Sequence, residues 1–527
     1  MKEKNFNLEF EKSLKLLAKF SFIVFIGLVI SKLFTYFFRI IVARYFGPEV
    51  YGLFSLAFMI ASWFIIFSTL GLSDGILKYI PFYRGKKEFE KIRYIFQFTL
   101  MILAITSLLA GMLLFFFSDF IAISIFEDEG LSFFLKVFSL LIPFSALSYL
   151  LLYALKAYEK IKSYSFIANI FQNVAKVLIL IIMIFLGFKI KSVAYSFLFG
   201  VFAMLVVSYL VCKHQIPQIF IKSKIKKQDK EDVKKELFKY SLPLLFSAVA
   251  TTIFFMIDSL SIGYFKTAAE VGFYNSVTPI ALFLGFSPEL FMQFFFPLIN
   301  RFYATKKIDL VRELSKQVVK WIFLINLPIS ALIILFPGAF INLLFGSGYL
   351  VAETALVILT IASLISSIFV VSNTLIIMTG RSIVILIDTI VCSILNIALN
   401  VVLIPMPKIL FLDNELGIVG AAIATLISVT LFNLLFLFQS KRFLSIIPLR
   451  RKMLSISLAV IIPMLIMVYV KSLLIINIFS IMLLSLLFFI LYLISVILVK
   501  GFDKNDLFIL KNIKRKILSQ KTPIDFS

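Results

Sequence analysis

The sequence predicts an all-α protein that crosses a membrane many times, and three observations support this fold class. Hydrophobic residues make up 61% of the 527 residues and charged residues only 15%, whereas soluble domains carry far more charge. Apolar runs of membrane-spanning length recur from one end of the chain to the other. Polar residues are concentrated in the short segments between these runs. Barrel strands would be about ten residues long with alternating polarity, so helices are expected.

Fourteen apolar segments are long enough to form transmembrane helices. They cover residues 17–43, 50–73, 94–117, 131–155, 165–187, 191–212, 239–264, 275–299, 317–343, 352–378, 383–405, 416–438, 453–474 and 477–499. The amino-terminal stretch lacks the short apolar region and small-residue cleavage site of a signal peptide. We therefore expect the first span to be retained.

The net charge of +24 would suit a nucleic-acid partner, but its distribution argues against one. Lys and Arg cluster in every second loop, and the loop 213–238 is the longest and most basic. Positively charged loops remain on the cytoplasmic side of a membrane. We therefore expect a protein of the cell membrane with both termini in the cytoplasm and with membrane lipids, but no nucleic acid, as partners.

The two halves of the chain share a weak repeat. The segment "RYFGPEVYG" after the first span matches "GYFKTAAEVGFYN" after the seventh, and both place Glu-Val four or six residues after Tyr-Phe. Both halves begin on the same side of the membrane, so the repeat is parallel. The predicted organisation is a first lobe of six spans (1–212), a basic linker (213–238), a second lobe of six spans (239–440), two further spans (441–499) and a basic tail (500–527).

A longer motif lies at 394–430, "ILNIALNVVLIPMPKILFLDNELGIVGAAIATLISVT". It consists of Asn-x-x-Leu-Asn, an Ile-Pro helix end, a loop and Gly-x-x-Gly-Ala-Ala-x-Ala-Thr. This pattern closely resembles the signature of Wzx-type polysaccharide flippases in the MATE-like multidrug/oligosaccharidyl-lipid/polysaccharide superfamily. The matching residues are Asn396, Leu399, Asn400, Ile404, Pro405, Gly417, Gly420, Ala421, Ala422, Ala424 and Thr425. The residues 411–415 are an insertion, because many relatives join these helices by a shorter turn.

The resemblance implies a fold, a function and a cargo. The fold would be two six-helix lobes forming a V around a central cavity, with two extra carboxy-terminal helices. The function would be alternating access that moves a lipid-linked oligosaccharide across the membrane. No enzymatic activity and no cofactor are implied, and we expect a monomer.

Basic residues inside spans of the first half are the candidate substrate-binding groups. An ionisable side chain inside a span costs about 2.5–3.5 kcal/mol, so it usually faces the protein interior or a wet cavity. Lys32 and Arg39 are seven residues apart on one helix face, and Lys176 has Asn169 and Asn173 within two turns. We expect these side chains to line the cavity and to attract the phosphate of a lipid carrier.

Asn396 and Asn400 also share one helix face. Hydrogen bonding between helices and cavity lining are both open for this pair. The neighbouring segment "GIVGAAIATLIS" predicts a close approach of two helices, because its side chains are small.

Acidic residues inside spans of the second half are the candidate coupling or gating groups, namely Asp258, Glu289 and Asp388. They could bind a proton or a sodium ion. Glu289 follows Pro288, which is expected to kink its helix, with gating and a purely structural bend both open.

Three roles are open for Asp258. It could pair with Arg39 across the lobes when the external side closes, bind a coupling cation, or accept hydrogen bonds within its own lobe. The following "EVGFYN" is expected to form a tight external turn, in which Gly272 breaks the helix and Tyr274 anchors at the membrane interface.

Other functions are less well supported by the sequence. A cation-coupled multidrug exporter on the same fold is the alternative, favoured by acidic and aromatic cavity residues without basic ones. A glycan polymerase or ligase would need a large polar external loop, whereas the external connections here have about a dozen residues. The chain has no Gly-x-x-x-x-Gly-Lys-Ser/Thr loop, and two cysteines and one histidine provide no metal cluster.

Overall fold

The structure, a computed structural model, describes residues 2–473 and 478–502. Side-chain environments are described from residue 27 onward, except at 227, 294, 382, 471–479, 481 and 482. The described residues are almost entirely helical, and they form a multi-pass membrane protein.

The helices are Lys2–Thr69 (α1), Leu72–Gly85 (α2), Phe89–Asp119 (α3), Glu129–Ser139 (α4), Leu141–Ala157 (α5), Ile161–Ser165 (α6), Gln172–Phe185 (α7), Lys191–Gln215 (α8), Lys227–Phe265 (α9), Ala268–Leu282 (α10), Phe286–Ala304 (α11), Ile308–Leu335 (α12), Pro337–Leu344 (α13), Glu353–Met378 (α14), Ser382–Leu403 (α15), Ile418–Leu444 (α16), Lys452–Leu473 (α17) and Ile478–Leu498 (α18). The strands Lys408–Ile409 (β1) and Leu412–Asp413 (β2) form an antiparallel hairpin. Short 3₁₀ helices lie at Pro217–Phe220, Phe283–Gly285 and Ser347–Ala352, and π-helical turns at Phe120–Ile125 and Phe166–Phe171.

The all-α polytopic fold class is confirmed, but the count of fourteen spans is not. In the described residues, eleven helical segments are long and apolar enough to cross a membrane, or up to twelve if a pair bent by 42° forms one span. The first two predicted spans lie in one segment, Gly27–Thr69, and the last overlaps a shorter apolar helix, Leu483–Leu498.

Helix α1 contains a break that explains part of this difference. Gly47 has φ 85° and ψ 177°, which is not a helical conformation, and Pro48 follows it. Pro suits the first position of a helix, because its fixed φ is helical and no hydrogen bond is required of its nitrogen. A straight helix of 43 residues would be about 65 Å long, twice the thickness of the hydrocarbon core. Each side of the break is therefore long enough to span a membrane.

The residues of the structure cluster into two compact units. The first contains 2–279, Leu344–Ala355 and Ile383–Ser428, and the second contains Ile280–Leu343, Leu356–Ser382 and 429–502. These boundaries differ from those of the expected lobes, which remain a prediction.

Aromatic side chains form the centre of the first unit. Phe54 lies 5.5 Å from Phe38 and 5.5 Å from Phe197, measured between ring centroids, and it meets Phe138 edge-to-face. These four rings come from both segments of α1, from α4 and from α8, so the cluster packs four of the predicted spans together. Such aromatic pairs contribute about 0.5–1.5 kcal/mol beyond the burial of their surface.

The second unit packs α12 against α11, α17 and α18. Several buried polar groups are paired there, as a hydrocarbon environment favours. Asn326 donates its amide to the Leu284 carbonyl at 2.8 Å and accepts from the Ser287 hydroxyl at 2.9 Å. The Tyr492 hydroxyl donates to the Leu324 carbonyl at 3.1 Å.

The two repeated motifs meet in the first unit, on the side whose loops carry few basic residues. A Cβ atom at Gly52 would lie 1.6 Å from the Ala268 carbonyl oxygen, and one at Gly272 would lie 2.0 Å from the Pro48 carbonyl oxygen. Each motif therefore presents a glycine to the start of the other motif's helix. Real Cβ atoms do not approach oxygen so closely, so only glycine fits at either position.

Tyrosine hydroxyls add hydrogen bonds around this contact. Tyr51 donates to the Asn275 carbonyl at 3.0 Å, Tyr36 to the Pro279 carbonyl at 2.9 Å and Tyr349 to the Ala43 carbonyl at 3.0 Å. Buried hydroxyls require such acceptors, so the first two bonds join α1 to α10 and the third joins α1 to the 3₁₀ helix Ser347–Ala352.

The predicted linker is partly helical. Its residues 227–238 form the beginning of α9, which continues without interruption through the seventh predicted span. The Tyr79 hydroxyl donates to the backbone carbonyl of Glu236 at 3.0 Å, and the Tyr83 hydroxyl donates to its carboxylate at 2.8 Å. This end of α9 is therefore attached to α2.

Replacing Gly272 by Ala should destabilise the protein, because the new methyl group would overlap a backbone oxygen that cannot rotate away. Overpacking of this kind costs about 1–3 kcal/mol, so the thermal unfolding midpoint in detergent should fall clearly. Gly348→Ala is the matched control, because nothing lies within 4 Å of its Cβ position. Equal midpoints for the two variants would contradict the contact between the motifs.

Candidate functional site

Asp258 lies in a buried polar network that joins four helices. Its carboxylate accepts hydrogen bonds from the Tyr274 hydroxyl at 2.8 Å, from the Asn400 amide at 2.8 Å and from the Thr425 hydroxyl. Asn400 also donates to the Asn396 side chain at 2.7 Å. The residues come from α9, α10, α15 and α16, and Asp258 is only 8% exposed. Three donors can stabilise a carboxylate that burial alone would disfavour.

Of the three roles open for Asp258, hydrogen bonding with neighbouring helices is the one that the structure contains. Among the described residues, no ion pair joins Asp258 to Arg39. The pair with Arg39 was one of the three open roles, and in this structure uncharged donors from three helices surround the carboxylate instead.

The expected roles of Gly272 and Tyr274 were also wrong. Gly272 lies inside α10 rather than breaking it, and its missing side chain makes room for the Pro48 carbonyl. Tyr274 is buried and donates to Asp258 instead of lying at the membrane interface. The sequence shows the composition of this segment but not the helix that packs on it.

The start of α10 carries a signal that the sequence reading overlooked. Thr267 and Glu270 have the spacing of a capping box, and the Glu270 carboxylate accepts from the Thr267 backbone nitrogen at 3.1 Å. The chain turns at Lys266 and Thr267, so this motif would have placed the helix start before Gly272.

Small residues bring α15 and α16 together as predicted. A Cβ atom at Gly420 would lie 2.6 Å from the Leu403 carbonyl oxygen. The backbones can therefore approach closely, which brings Thr425 on α16 to the same carboxylate as Asn400 on α15.

The candidate basic residues lie on α1 and α7. Lys176 is 8% exposed, its side chain packs on Gly200, and its ammonium lies 4.5 Å from the centre of the Phe197 ring. Arg39 lies close to the phenol groups of Tyr36 and Tyr51 and within electrostatic reach of Lys176. No ion pair to a carboxylate is formed by Arg39 or Lys176 within the described part of the chain. Two like charges thus lie near each other inside the first unit.

Asn173 joins α7 to α1. Its amide nitrogen donates to the Ser31 hydroxyl at 2.9 Å, and its amide oxygen accepts from the Thr35 hydroxyl at 3.3 Å. Asn169, in the π-helical turn before α7, donates to the Ser165 hydroxyl at 3.2 Å. Both candidate asparagines are therefore hydrogen-bonded, three and seven residues before Lys176, and the half-buried Lys32 follows Ser31 on α1.

The three candidate carboxylates do not form one cluster. Asp388 is buried on α15, twelve residues before Asn400, which corresponds to about 18 Å along the helix. Glu289 is partly buried on α11, in the second unit. Asp258 and Asp388 therefore lie at different depths, so a single ion site cannot include both.

Pro288 does not produce the expected kink at Glu289. It lies in the first turn of α11, where no hydrogen bond is lost, and the bend of 42° lies between Gln293 and Phe295. Pro297 follows that bend, and its missing N–H removes a bond to the preceding turn.

A groove lies between α2 and α9 in the first unit. It has a volume of about 750 Å³ and is lined by Asp74, Leu77, Lys78, Tyr240, Leu244, Ser247, Ala248, Thr251 and Thr252. The Lys78 ammonium lies 3.8 Å from the centre of the Tyr240 ring. Among the described residues, Asp74 and Lys78 form no ion pair with each other.

Charged and hydroxyl-bearing side chains lie among the apolar residues that line this groove. Burial raises the pKa of Asp74, and the nearby Lys156 opposes that rise. Thr251 lies seven residues before Asp258 on α9, which is about 10 Å. The groove therefore leads towards the buried network from the side of the basic loops.

The fold and these buried polar groups define a multi-pass membrane protein with ionisable groups inside its spans. The family model described as polysaccharide biosynthesis protein matches residues 17–303, more than half of the chain. The chain belongs to this polysaccharide biosynthesis protein family. A second model, MatE, matches residues 243–402.

Curated relatives include an uncharacterized membrane protein of Methanocaldococcus jannaschii, which is 22% identical over 74% of this chain and 77% of its own length. A Haloferax volcanii protein named as a low-salt glycan biosynthesis flippase is 24% identical over 40% of this chain and 43% of its own. A Shigella flexneri protein named as an O-antigen transporter is 24% identical over 58% of this chain and 71% of its own.

Two solved structures share the fold. The lipid II flippase MurJ in an inward closed conformation has a TM-score of 0.67 at 18% identity, covering 89% of this chain and 97% of its own. An inward-facing multidrug resistance transporter of the MATE family has a TM-score of 0.63 at 17% identity, covering 79% and 95%.

Removing one donor to Asp258 should lower stability, because a buried charge would lose a hydrogen bond. Tyr274→Phe and Thr425→Val should each cost about 1.5–3 kcal/mol, seen as a lower thermal midpoint in detergent. Tyr264→Phe is the matched control, since Tyr264 is 59% exposed. The network would be disproved as a stabilising element if all three variants unfolded at the same temperature.

Proposed function

We propose that this protein moves a lipid-linked oligosaccharide or polysaccharide precursor from the cytoplasmic to the external leaflet of the cell membrane. Membership of a polysaccharide biosynthesis family supports this proposal. So do the names of relatives, a glycan biosynthesis flippase and an O-antigen transporter. Transport rather than catalysis is the inferred activity, and both termini are placed in the cytoplasm by the basic loops.

The observation that carries the proposal is the pair of cations on α1 and α7. Arg39 and Lys176 lie within reach of each other without a carboxylate partner in the described residues. Charges inside a span are costly, and two like charges are more so. An anionic phosphate or diphosphate would relieve this repulsion, and Arg offers it a bidentate contact. Lys32, on the same face of α1, extends the positive potential by two helical turns.

Polar side chains near these cations and in the groove can form hydrogen bonds with the sugar of the substrate. Asn169 and Asn173 lie beside these cations. Asn396 and Asn400 are buried in the Asp258 network, so we do not assign them to the sugar. The groove between α2 and α9 adds the hydroxyls of Ser247, Thr251 and Thr252 together with the Tyr240 ring. Hydroxyls and an aromatic face match the chemistry of a carbohydrate, so we place the first contact of the sugar head group in this groove.

Alternating access would proceed between the lobes 1–212 and 239–440, with 213–238 as their linker. The contact of Gly52 with Ala268 and of Gly272 with Pro48 joins these lobes at the predicted external end. This contact supports the interpretation that the external side is closed in this conformation. Opening would require its tyrosine hydrogen bonds to break.

Ion coupling is placed at Asp258. The Asn400 side-chain oxygen, beside this carboxylate, is buried and has no hydrogen-bond donor among the described residues. An oxygen left unpaired in this way next to a carboxylate suits a sodium ion, and the carboxylate itself suits a proton. Asp388 and Glu289 lie elsewhere, so we assign them to gating rather than to the same ion.

The alternative is a cation-coupled multidrug exporter, supported by the MatE match over residues 243–402. Basic side chains on α1 and α7 would repel the cationic compounds that such exporters commonly carry, so the flippase is preferred. Ethidium efflux from proteoliposomes separates the two proposals, because only the exporter should transport this dye.

The cation proposal predicts that Arg39→Gln and Lys176→Gln each slow transport. A lost charge-assisted hydrogen bond of about 1.5–3 kcal/mol corresponds to a rate lower by roughly 10- to 100-fold. The measurement is the exposure of a fluorescent lipid-linked oligosaccharide to dithionite in proteoliposomes. Lys191→Gln removes the same charge at an exposed position and should leave the rate unchanged. Unchanged rates in both test variants would remove the phosphate-binding role.

The coupling proposal predicts that Asp258→Asn abolishes the response of transport to an imposed proton or sodium gradient. The amide oxygen can still accept from Tyr274 and Thr425, so folding should be retained. Asp413→Asn, at an exposed position, is the matched control. If the triple variant Asp258→Asn, Glu289→Gln, Asp388→Asn kept a normal gradient response, coupling through these carboxylates would be wrong.

A further inference from the structure

The hairpin between α15 and α16 exposes two large apolar side chains at its tip. Leu410 is 90% exposed and Phe411 is 89% exposed, the highest values among the large hydrophobic residues described. These residues fall on the insertion at 411–415 and on the residue before it. Neither the proposed transport site nor the core of either unit uses them.

The backbone of the tip makes this placement more unusual. Leu410 has φ 56°, the left-handed region that favours glycine, and it is the first residue of a two-residue turn between β1 and β2. Such turns normally contain Gly, Asn or Asp. A leucine at this position has both a strained backbone and an apolar side chain exposed to solvent. We therefore infer that the leucine side chain binds something.

The hairpin is held firmly to the ends of two spans. The Asn414 amide donates to the Leu403 carbonyl at 2.8 Å and to the Met406 carbonyl at 2.7 Å. The Asn414 side-chain oxygen accepts from the Gly420 backbone nitrogen at 2.7 Å, and the Asn414 backbone nitrogen donates to the Pro407 carbonyl at 2.8 Å. Because Leu403 ends α15 and Gly420 lies in the first turn of α16, the tip has a fixed height above both spans.

An apolar stripe leads to the tip. Ile387, Ile394 and Val401 are exposed on one face of α15 at intervals of seven residues, and Met406 continues the stripe beyond the helix. Apolar side chains exposed on a spanning helix face lipid chains. Leu410 lies three positions after Pro407, so the tip extends about 10 Å from its base. The head-group layer on each side of a bilayer is about 5–8 Å thick, so a hairpin of this length keeps its tip in the layer when it lies along the membrane surface.

Charge is confined to the base of the hairpin. Lys408 and Asp413 are exposed partners on β1 and β2, and Glu415 follows them. The arrangement is a polar base with an apolar tip, which is the polarity of an element that lies in the membrane interface.

We propose that Leu410 and Phe411 insert into the interfacial layer of the lipid bilayer beside α15 and anchor this end of the protein in the membrane. The occupant of the apolar surface is therefore lipid, not a second protein. This inference does not depend on the transported substrate.

A spin label at the tip tests the proposal. The full-length protein carries Phe411→Cys in a background of Cys212→Ala and Cys392→Ala, because the two native cysteines are free and buried. It is reconstituted in vesicles of phosphatidylethanolamine and phosphatidylglycerol. Collisions of the label with apolar oxygen and with a polar nickel complex are measured by power saturation. Asp413→Cys is the matched control on the same hairpin.

At position 411 the ratio of oxygen to nickel collisions should be several-fold higher than at position 413. Equal ratios at both positions would place the tip in water and overturn the proposal. Spin–spin broadening at 411 that disappears when unlabelled protein is added would also overturn it, because a second copy would then cover the tip.

Discussion

A carboxylate inside a membrane span has to be surrounded by donors, and this requirement organises the first unit. Lipid offers no water to replace a missing partner. Asp258 therefore fixes Tyr274 on α10, Asn400 on α15 and Thr425 on α16. The glycines and alanines at the start of α16 let the helices approach closely enough for these bonds. The close packing of α15 on α16 and the hydrogen bonding of Asp258 thus depend on the same few residues.

Helix positions could be predicted from sequence because apolar length and loop charge leave few alternatives for a chain in a membrane. The count of fourteen spans is not confirmed, because α1 holds the first two predicted spans in one helical segment with only Gly47 out of helical geometry. The break itself could have been inferred from "FGPE", in which Gly precedes a Pro that suits a first helical turn.

The candidate site was only partly predictable. Buried Asp, Lys and Asn residues are recognisable because they are rare in apolar segments. Their partners are not, since partners lie on other helices at large sequence separation. Tyr274 was read as an interface residue for this reason, although it is buried. The groove beside Lys78 and Tyr240 was not predicted. It forms where α2, an amphipathic helix outside the predicted spans, meets one face of the long helix α9.

Helix α9 connects two places that have been described separately. Its amino-terminal part is bound to α2 through Glu236, and Asp258 lies 22 residues further along the same helix, which is about 33 Å. Because α9 is one helix over this distance, a shift of its amino-terminal part would reach Asp258 through the helix backbone, and Pro243, inside the helix, is a place where the helix can bend.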